Sequence, residues 1–337
     1  MKTGSLYIDG SDAWLTYGAF VVEGGWTSLV CMPPLKAVES NDWQEEDGIE
    51  VDLSAPVLDT REVEIPFAFC GLYARPFALL DVLADGAYHT FRCAEIGRTF
   101  RLRLVSQPSH AGVRNLELVK LKFADDFPLD GYTYADPQTS IVQAYDYLVD
   151  DAPLSRYGVR VLRGTMANIR KCADVKEALL RNIGTQSGTT YDGGAAVHFA
   201  SKEVKVLCLL RAASLDELWR NYDALLYDLT QPDERTLYVS EMEETFHFYY
   251  KSCSVTAFYP CDAQKWLEFT LTLVFTNEVR STDDDTLLAT EDGTLAWTED
   301  SDSAVEMLPD RFGWPTLRMA ASSAMRLTGA RTFRFNN

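Results

Sequence analysis

The chain repeats itself, and this duplication limits the folds open to it more than any single residue does. A Tyr-Gly pair at 17–18 recurs at 157–158, and the alternating segment 61–65 recurs at 202–206. The separation between matching positions grows along the chain, as insertions in loops would produce, because surface loops accept extra residues at little cost. The sequence therefore predicts two related domains in tandem.

Two later segments continue the repeat. Residues 100–104 match 246–250, and residues 116–118 match 267–269. Apolar and polar side chains alternate in these stretches, which is the period of a half-buried β-strand. We therefore predict a mainly β protein with short helices, of the α+β class, built from two β-sandwich domains.

Each predicted domain has one helix between its strands. Residues 76–86 begin with proline and end with glycine, an asymmetry typical of a short helix. In the second domain, Ser214 and Glu217 have the spacing of a capping box, and apolar side chains follow at helical intervals. A further helix is predicted over 174–183, where the first domain has an acidic, proline-containing loop instead.

The matches divide the chain into four parts. We predict a first domain at 1–130, a connection at 131–151, a second domain at 152–279 and a C-terminal extension at 280–337. The extension begins acidic and ends basic, and its segment 287–297 fits a hairpin with a glycine in the turn. Such a tail is expected to dock on its own chain or on a neighbour.

Composition narrows the classes of partner. The chain has 337 residues, which is about two domains, and its 50 acidic and 31 basic side chains give a net charge of −19. This balance argues against a whole-surface attraction to nucleic acid or to anionic lipid. Seven cysteines without metal-ligand spacing indicate neither a disulfide framework nor a zinc site. Because no signal peptide or long apolar run is present, we expect a soluble chain in a reducing cytoplasm.

Catalytic signals are weak. The four histidines are scattered, and no nucleophile, phosphate-loop or metal-binding motif occurs. The run at 283–285 invites a calcium interpretation, but the acids lack the alternate spacing of an EF-hand loop, so a solvated charge run is favoured. We expect no catalytic residue, no cofactor and no metal. Paired carboxylates for glycoside hydrolysis remain an alternative in so acidic a chain.

Tryptophans in turn-rich or tail segments are candidates for surface roles. Aromatic rings of this kind anchor protein interfaces, and they also stack on sugars. We favour the interface and keep the sugar platform open. The four residues are Trp26, Trp43, Trp297 and Trp314.

A basic surface distinguishes the first domain. Four cations alternate with apolar residues on two predicted strands and should share the outward face of the sheet, whereas the second domain carries no such set. We hypothesise that this face meets an acidic loop of a neighbouring subunit; a solvated sheet face is the alternative. The cations are Arg101, Arg103, Lys120 and Lys122, and the candidate loop contains Trp43, Glu45, Glu46 and Asp47.

The pattern resembles a known family. Residues 6–14, the following Tyr-Gly pair, the acidic loop and residues 61–67 resemble the N-terminal region of distal tail proteins of siphophages and prophages. A β-sandwich with one helix between its strands is also similar to the tail-tube fold of tube, distal tail and baseplate hub proteins. The resemblance covers roughly 1–125 and, through the repeat, 152–279.

This resemblance implies a ring around a channel through which DNA passes, with six tube-like domains in the ring. Distal tail proteins imply six chains in the ring, and hub proteins with two tube-like domains in each chain imply three, so a trimer and a hexamer are both kept. The implied partners are the chain itself and other tail or baseplate proteins, with DNA only as passing cargo and no membrane. The implied location is the virion tail, assembled in the cytoplasm of a bacterial host. The other hypotheses are a carbohydrate-binding β-sandwich protein and, third, a hydrolase that uses acidic residues.

Overall fold

The computed structural model describes most of the chain and divides it into two compact units, Met1–Glu278 and Val279–Asn337. The described residues are 3–71, 74–113, 116–139, 141–142, 144–176, 180–181, 185, 187–188, 190–191, 197–277, 305–309 and 315–319.

The first unit begins with a set of strands and two helices, which we call the first half (residues 6–125). The strands are β1 (Leu6–Ile8), β2 (Ser11–Asp12), β3 (Ala19–Val21), β4 (Ser40–Asn41), β5 (Glu50–Val51), β6 (Arg61–Cys70), β7 (His89–Cys93), β8 (Arg98–Val113) and β9 (Leu116–Asp125). The helices are α1 (Ala13–Tyr17) and α2 (Pro76–Leu83).

A second set of elements follows in the same unit, and we call it the second half (residues 147–275). Its strands are β10 (Tyr147–Val149), β11 (Ala152–Pro153), β12 (Val159–Val161), β13 (Leu180–Arg181), β14 (Thr190–Tyr191), β15 (Lys202–Ala212), β16 (Arg235–Val239), β17 (Glu244–Tyr259) and β18 (Lys265–Phe275). Its helices are a 3-10 turn (Leu154–Tyr157), α3 (Thr165–Arg170) and α4 (Leu215–Leu229).

The two halves form antiparallel sheets of seven strands with the same strand order. The first sheet runs β2-β1-β7-β8-β9-β6-β3 and the second runs β11-β10-β16-β17-β18-β15-β12. The long strands β8 and β17 pair with β7 and β16 through their first part and with β9 and β18 through their second part. The chain is thus mainly β with few short helices, and the repeated order is what the duplication predicts.

Matching turns support the same equivalence. The turns at 9–10 and 150–151 each have two residues with positive φ, between +46° and +81°, which is the type I′ turn of a tight hairpin. The aspartate that opens each turn accepts a hydrogen bond from a backbone N–H of the neighbouring strand in the sheet. The donor is Thr90 of β7 (2.8 Å) in the first half and Thr236 of β16 (2.9 Å) in the second. The same local chemistry therefore closes both hairpins.

One predicted match is wrong by a single residue. Phe67 pairs with Val119, and its counterpart Cys208 pairs with Phe269, so Val119 rather than Leu118 corresponds to Phe269. A shift of one residue exchanges the two faces of a strand. Accordingly, Leu118 is exposed whereas Val119 and Phe269 are buried.

The core of each half is made by the inward side chains of its long strands. Burial of each contributes roughly 1.5–3 kcal/mol relative to exposure. These side chains include Val63, Ile65, Phe67, Phe69, Val119, Leu121 and Phe123 in the first half, and Leu267, Phe269, Leu271, Leu273 and Phe275 in the second.

The two helices predicted between strands are confirmed. Helix α2 begins at Pro76, as expected from its fixed φ. Helix α4 begins after Ser214, whose Oγ accepts the Glu217 backbone N–H at 3.1 Å. The Glu217 carboxylate accepts the backbone N–H of Ala213 at 3.0 Å, so the capping box reaches one residue further back than the sequence predicts.

The predicted helix over 174–183 is wrong. Val175 forms an isolated β-bridge with Phe199, and β13 pairs with β14 in the same stretch. The side chain of Lys176 is buried against the first half, where its Nζ donates to backbone carbonyls. These tertiary contacts outweigh the weak local preference for a helix.

The second unit contains the antiparallel pair β19 (Val305–Pro309) and β20 (Pro315–Met319). The hairpin predicted at 287–297, the acidic run at 283–285, Trp297 and Trp314 lie outside the described residues. The domain boundaries near 130 and 152 stay a prediction, since both sheets belong to one compact unit. Within the described ranges, no helix is long and apolar enough to cross a membrane.

Candidate functional site

Most of the four cations predicted to form a basic face pair with acids of the same chain. Lys120 and Lys122 project outward from β9 towards glutamates of the neighbouring strand β6. Lys120 Nζ lies 3.3 Å from a Glu64 carboxylate oxygen, and Lys122 Nζ lies 2.7 Å from one of Glu62. Exposed pairs of this kind contribute at most about 1 kcal/mol each.

The two arginines of this face are also engaged within the chain. Arg103 donates to both carboxylate oxygens of Asp126, from Nε at 2.5 Å and from Nη2 at 3.2 Å. The Arg103 hydrogen bond, with further ones from Tyr88 and Thr60, lowers the pKa of Asp126 to about 2 against the cost of burial. The Arg101 guanidinium lies 4.9 Å from the centre of the Tyr88 ring. Three of these four cations therefore pair with acids of the same chain, and the role of the face as an interface stays a prediction.

The predicted acidic loop contacts its own chain. Asp47 Oδ1 accepts the backbone N–H of Phe199 at 2.7 Å. Lys176 Nζ donates to the carbonyls of Trp43 at 2.6 Å and of Gly48 at 2.7 Å, and the side chain of Trp43 remains half exposed. Among the described residues, no ion pair joins this loop to the basic face. The loop thus joins the two halves, a role that the sequence did not predict.

This loop belongs to a longer segment, residues 32–59, which we call strap 1. It extends away from the sheet of the first half and contacts β17 of the second half. Leu35 N donates to Lys251 O at 2.9 Å, and the Tyr250 hydroxyl donates to Pro33 O at 2.9 Å. Further along, Ile49 N donates to the carbonyl of Thr276 at 2.8 Å. Backbone hydrogen bonds therefore fix the position of one half against the other.

Helix α4 makes the second contact between the halves. Trp219 Nε1 donates to Ile96 O, in the turn between β7 and β8, at 2.7 Å. The Arg98 guanidinium lies 4.4 Å from the centre of the Trp219 ring and forms an ion pair with Asp223. Burial raises the pKa of Asp223 despite this partner. The amphipathic pattern of α4 predicts a buried stripe but not the partner from the other half.

A cleft of about 350 Å³ lies between the halves. Its charged side chains are mostly paired with one another: Arg61 Nη2 lies 2.5 Å from Asp125, and Arg61 Nη1 donates to the carbonyls of Leu29 and Cys31 at 2.9 Å. The arrangement holds the segment that immediately precedes strap 1 to the first sheet. It presents matched charges rather than an acid and a base poised for catalysis.

Two further aromatic residues that the sequence singles out, a tryptophan and a histidine, are buried. Trp26 is buried in the core. The surface role predicted for it is therefore wrong, because a sugar or a partner would need an exposed ring. His89 is also buried, with its two ring nitrogens 2.7 Å from Asp9 and 3.1 Å from Asp85. In the part of the chain that the structure describes, no group of three or more His, Cys, Asp or Glu side chains is placed to hold a metal ion.

Comparisons with known proteins give a distant likeness among solved structures. No family model matches the sequence, and no curated protein matches it. The chain is similar to the crystal structure of SPP1 Dit (gp 19.1), which is described as a paradigm of the hub adsorption apparatus in phages that infect Gram-positive hosts. The identity is 13%, the alignment covers 80% of this chain and 98% of that one, and the TM-score is 0.30. A likeness at this TM-score does not assign a function to this chain.

Proposed function

We propose that the chain is a non-enzymatic structural component of a phage or prophage tail, forming a ring around the DNA channel at the distal tail or baseplate. The observation that carries this proposal is the union of two sheets with one strand order in a single compact unit. Strap 1 and α4 hold the two halves together.

The contact between the halves is the physical basis of the ring. It joins unlike surfaces of two related bodies, so it is a head-to-tail contact. Such a contact leaves one unused surface of each kind at the two ends of the chain, and repetition gives a closed ring if the rotation closes. Three chains would supply six related domains; a ring of six chains is the alternative.

The charge of the chain suits the same role. A net charge of −19 disfavours binding of phosphate to the chain as a whole. DNA would then pass as cargo rather than bind. The ring would assemble in the bacterial host cytoplasm and remain in the virion tail, in contact with other tail or baseplate proteins.

Native mass spectrometry over a concentration series tests this function. We expect trimers or hexamers to replace monomers as the concentration rises, because each chain carries both ends of the contact. A chain that is monomeric at every concentration, alone and with tail partners, would refute the proposal.

A second candidate is carbohydrate binding, and one observation favours it. Trp266 stacks on Tyr259 with ring centres 4.0 Å apart at one end of β17 and β18. Arg211 and Gln264 lie beside this pair and could hydrogen-bond to a sugar. A change in tryptophan fluorescence on titration with glycans, lost in Trp266→Ala, would support this function.

A further inference from the structure

Strap 1 has a counterpart in the second half, and the two are closed by the same bonds. The counterpart, which we call strap 2, comprises the two described segments 172–176 and 197–200. Strap 1 closes through a bridge between Leu35 and Leu58, and strap 2 closes through a bridge between Val175 and Phe199. The flanking backbone bonds agree as well: Lys36 N to Val57 O and Asp59 N to Pro34 O in strap 1, and Lys176 N to His198 O and Ala200 N to Asp174 O in strap 2, all at 2.8–2.9 Å. Val175 therefore occupies in strap 2 the place that Leu35 occupies in strap 1.

The strand that receives strap 1 also has a counterpart. Leu35 donates its backbone N–H to the carbonyl of Lys251, which lies at a break in the register between β17 and β18, between Tyr250 and Ser252. The register between β8 and β9 breaks at the same place, between Leu104 and Ser106. The extra residue of that bulge is Val105.

A bulge matters here because it takes one residue out of the ladder and re-aims it. In the second half, the bulged residue Lys251 receives strap 1. In the first half, the equivalent residue Val105 is 41% exposed. Val175, the equivalent of Leu35, is 56% exposed. Within the chain, Leu35 of strap 1 contacts the bulge at Lys251. The equivalent strap residue Val175 and the equivalent bulge residue Val105 both lie at the surface.

We infer that Val175 of one chain docks on the β8 bulge at Val105 of the next chain, and that this repeats between chains the contact of Leu35 with Lys251. The occupant of the exposed bulge is a second copy of this chain. This inference rests on the proposed ring and names the contact that closes it. Because the contact is heterologous, each chain gives one strap and receives one.

Charge substitutions at the two valines test the inference in the full chain. Val105→Glu and Val175→Glu each place a carboxylate in the proposed contact, so we expect at least a tenfold rise in the concentration needed for assembly in native mass spectrometry. Leu118→Glu is the control, since Leu118 is similarly exposed (45%) but lies on β9 outside the contact. Thermal unfolding of each variant within a few degrees of the wild type establishes that the fold is retained.

Mixing the two variants gives a sharper readout. The Val105→Glu variant keeps the strap residue Val175, and the Val175→Glu variant keeps the bulge residue Val105. An equimolar mixture should therefore form a heterodimer through these two residues. The heterodimer cannot grow into a ring, because its other strap and its other bulge each carry a glutamate. The double variant Val105→Lys with Val175→Glu should recover assembly through opposite charges.

The outcomes separate the two claims. If the wild type assembles and both glutamate variants assemble as well as Leu118→Glu does, the contact is wrong and the proposed ring stands. If the mixture gives no heterodimer although the wild type assembles, the head-to-tail pairing is wrong. A wild type that stays monomeric at every concentration would overturn both.

Discussion

At the residue scale, Gly48 shows how closely strap 1 approaches the second half. Its φ is +74°, and a Cβ at this position would lie 1.9 Å from the carbonyl oxygen of Thr276. Gly48→Ala should lose about 1–2 kcal/mol from the positive φ and about 1–3 kcal/mol more from the clash, measured as the free energy of unfolding in urea. Gly24 is the control, since its φ is +75° but a Cβ there would meet nothing within 4 Å. Equal losses for the two alanine variants would contradict the close approach.

Asp126 supplies a prediction about pH. Its pKa lies at about 2 in the folded chain, below its ordinary value of 3.8, chiefly through the hydrogen bond from Arg103. A lowered pKa means that the stabilisation is complete above about pH 4 and is lost as the pH falls towards 2. Asp126→Asn should therefore destabilise the fold by about 1 kcal/mol at pH 7, after allowance for screening by solvent, and by much less at pH 2.

The control for this prediction is a double-mutant cycle with Arg103→Gln. Because the two side chains act as one pair, their losses at pH 7 should not add. Additive losses, or a difference between wild type and Asp126→Asn that persists at pH 2, would count against the pairing.

At the element scale, the indole of Trp219 on α4 contacts the first half. Trp219→Phe removes the N–H that bonds to Ile96 O and weakens the stacking of Arg98, so we expect a loss of about 1–3 kcal/mol in denaturant unfolding. Trp266→Phe is the matched control, because Trp266 lies outside the contact between the halves, and its loss should be smaller. Indistinguishable losses would mean that the Trp219 contact does not help to hold the halves together.

Local signals predicted the elements whose stability is local. The spacing of Ser214 and Glu217 predicts α4, and the alternation of apolar and polar residues predicts β6 and β18. Helix capping and hydrophobic period both depend on residues that are close in sequence. The stretch from 174 to 183 could not be predicted in this way. Its conformation depends on the bond from Lys176 to the carbonyls of Trp43 and Gly48, more than 120 residues away in sequence.

The same limit applies to the candidate surfaces. The alternation of cations predicts that Arg101, Arg103, Lys120 and Lys122 share one face. It could not reveal that Glu62, Glu64 and Asp126 neutralise most of that charge, since pairing depends on which strands are neighbours. The bulges at Val105 and Lys251 were equally invisible, because a bulge appears only when two strands are set in register.

At the scale of the whole molecule, the duplication in sequence becomes two sheets of one strand order joined by an unlike contact. A duplicated chain that shows only one of its two possible contacts internally has the second available for its neighbours. The equivalence of the two straps and of the two bulges indicates where the proposed contact between chains would be made.

Class-averaged electron micrographs of the purified chain at a concentration where it assembles test the ring most directly. We predict closed rings with a central channel, in which six similar domains repeat with true threefold symmetry, or a sixfold ring if six chains assemble. Monomers alone, a twofold dimer without a channel or an open filament would contradict the proposed ring.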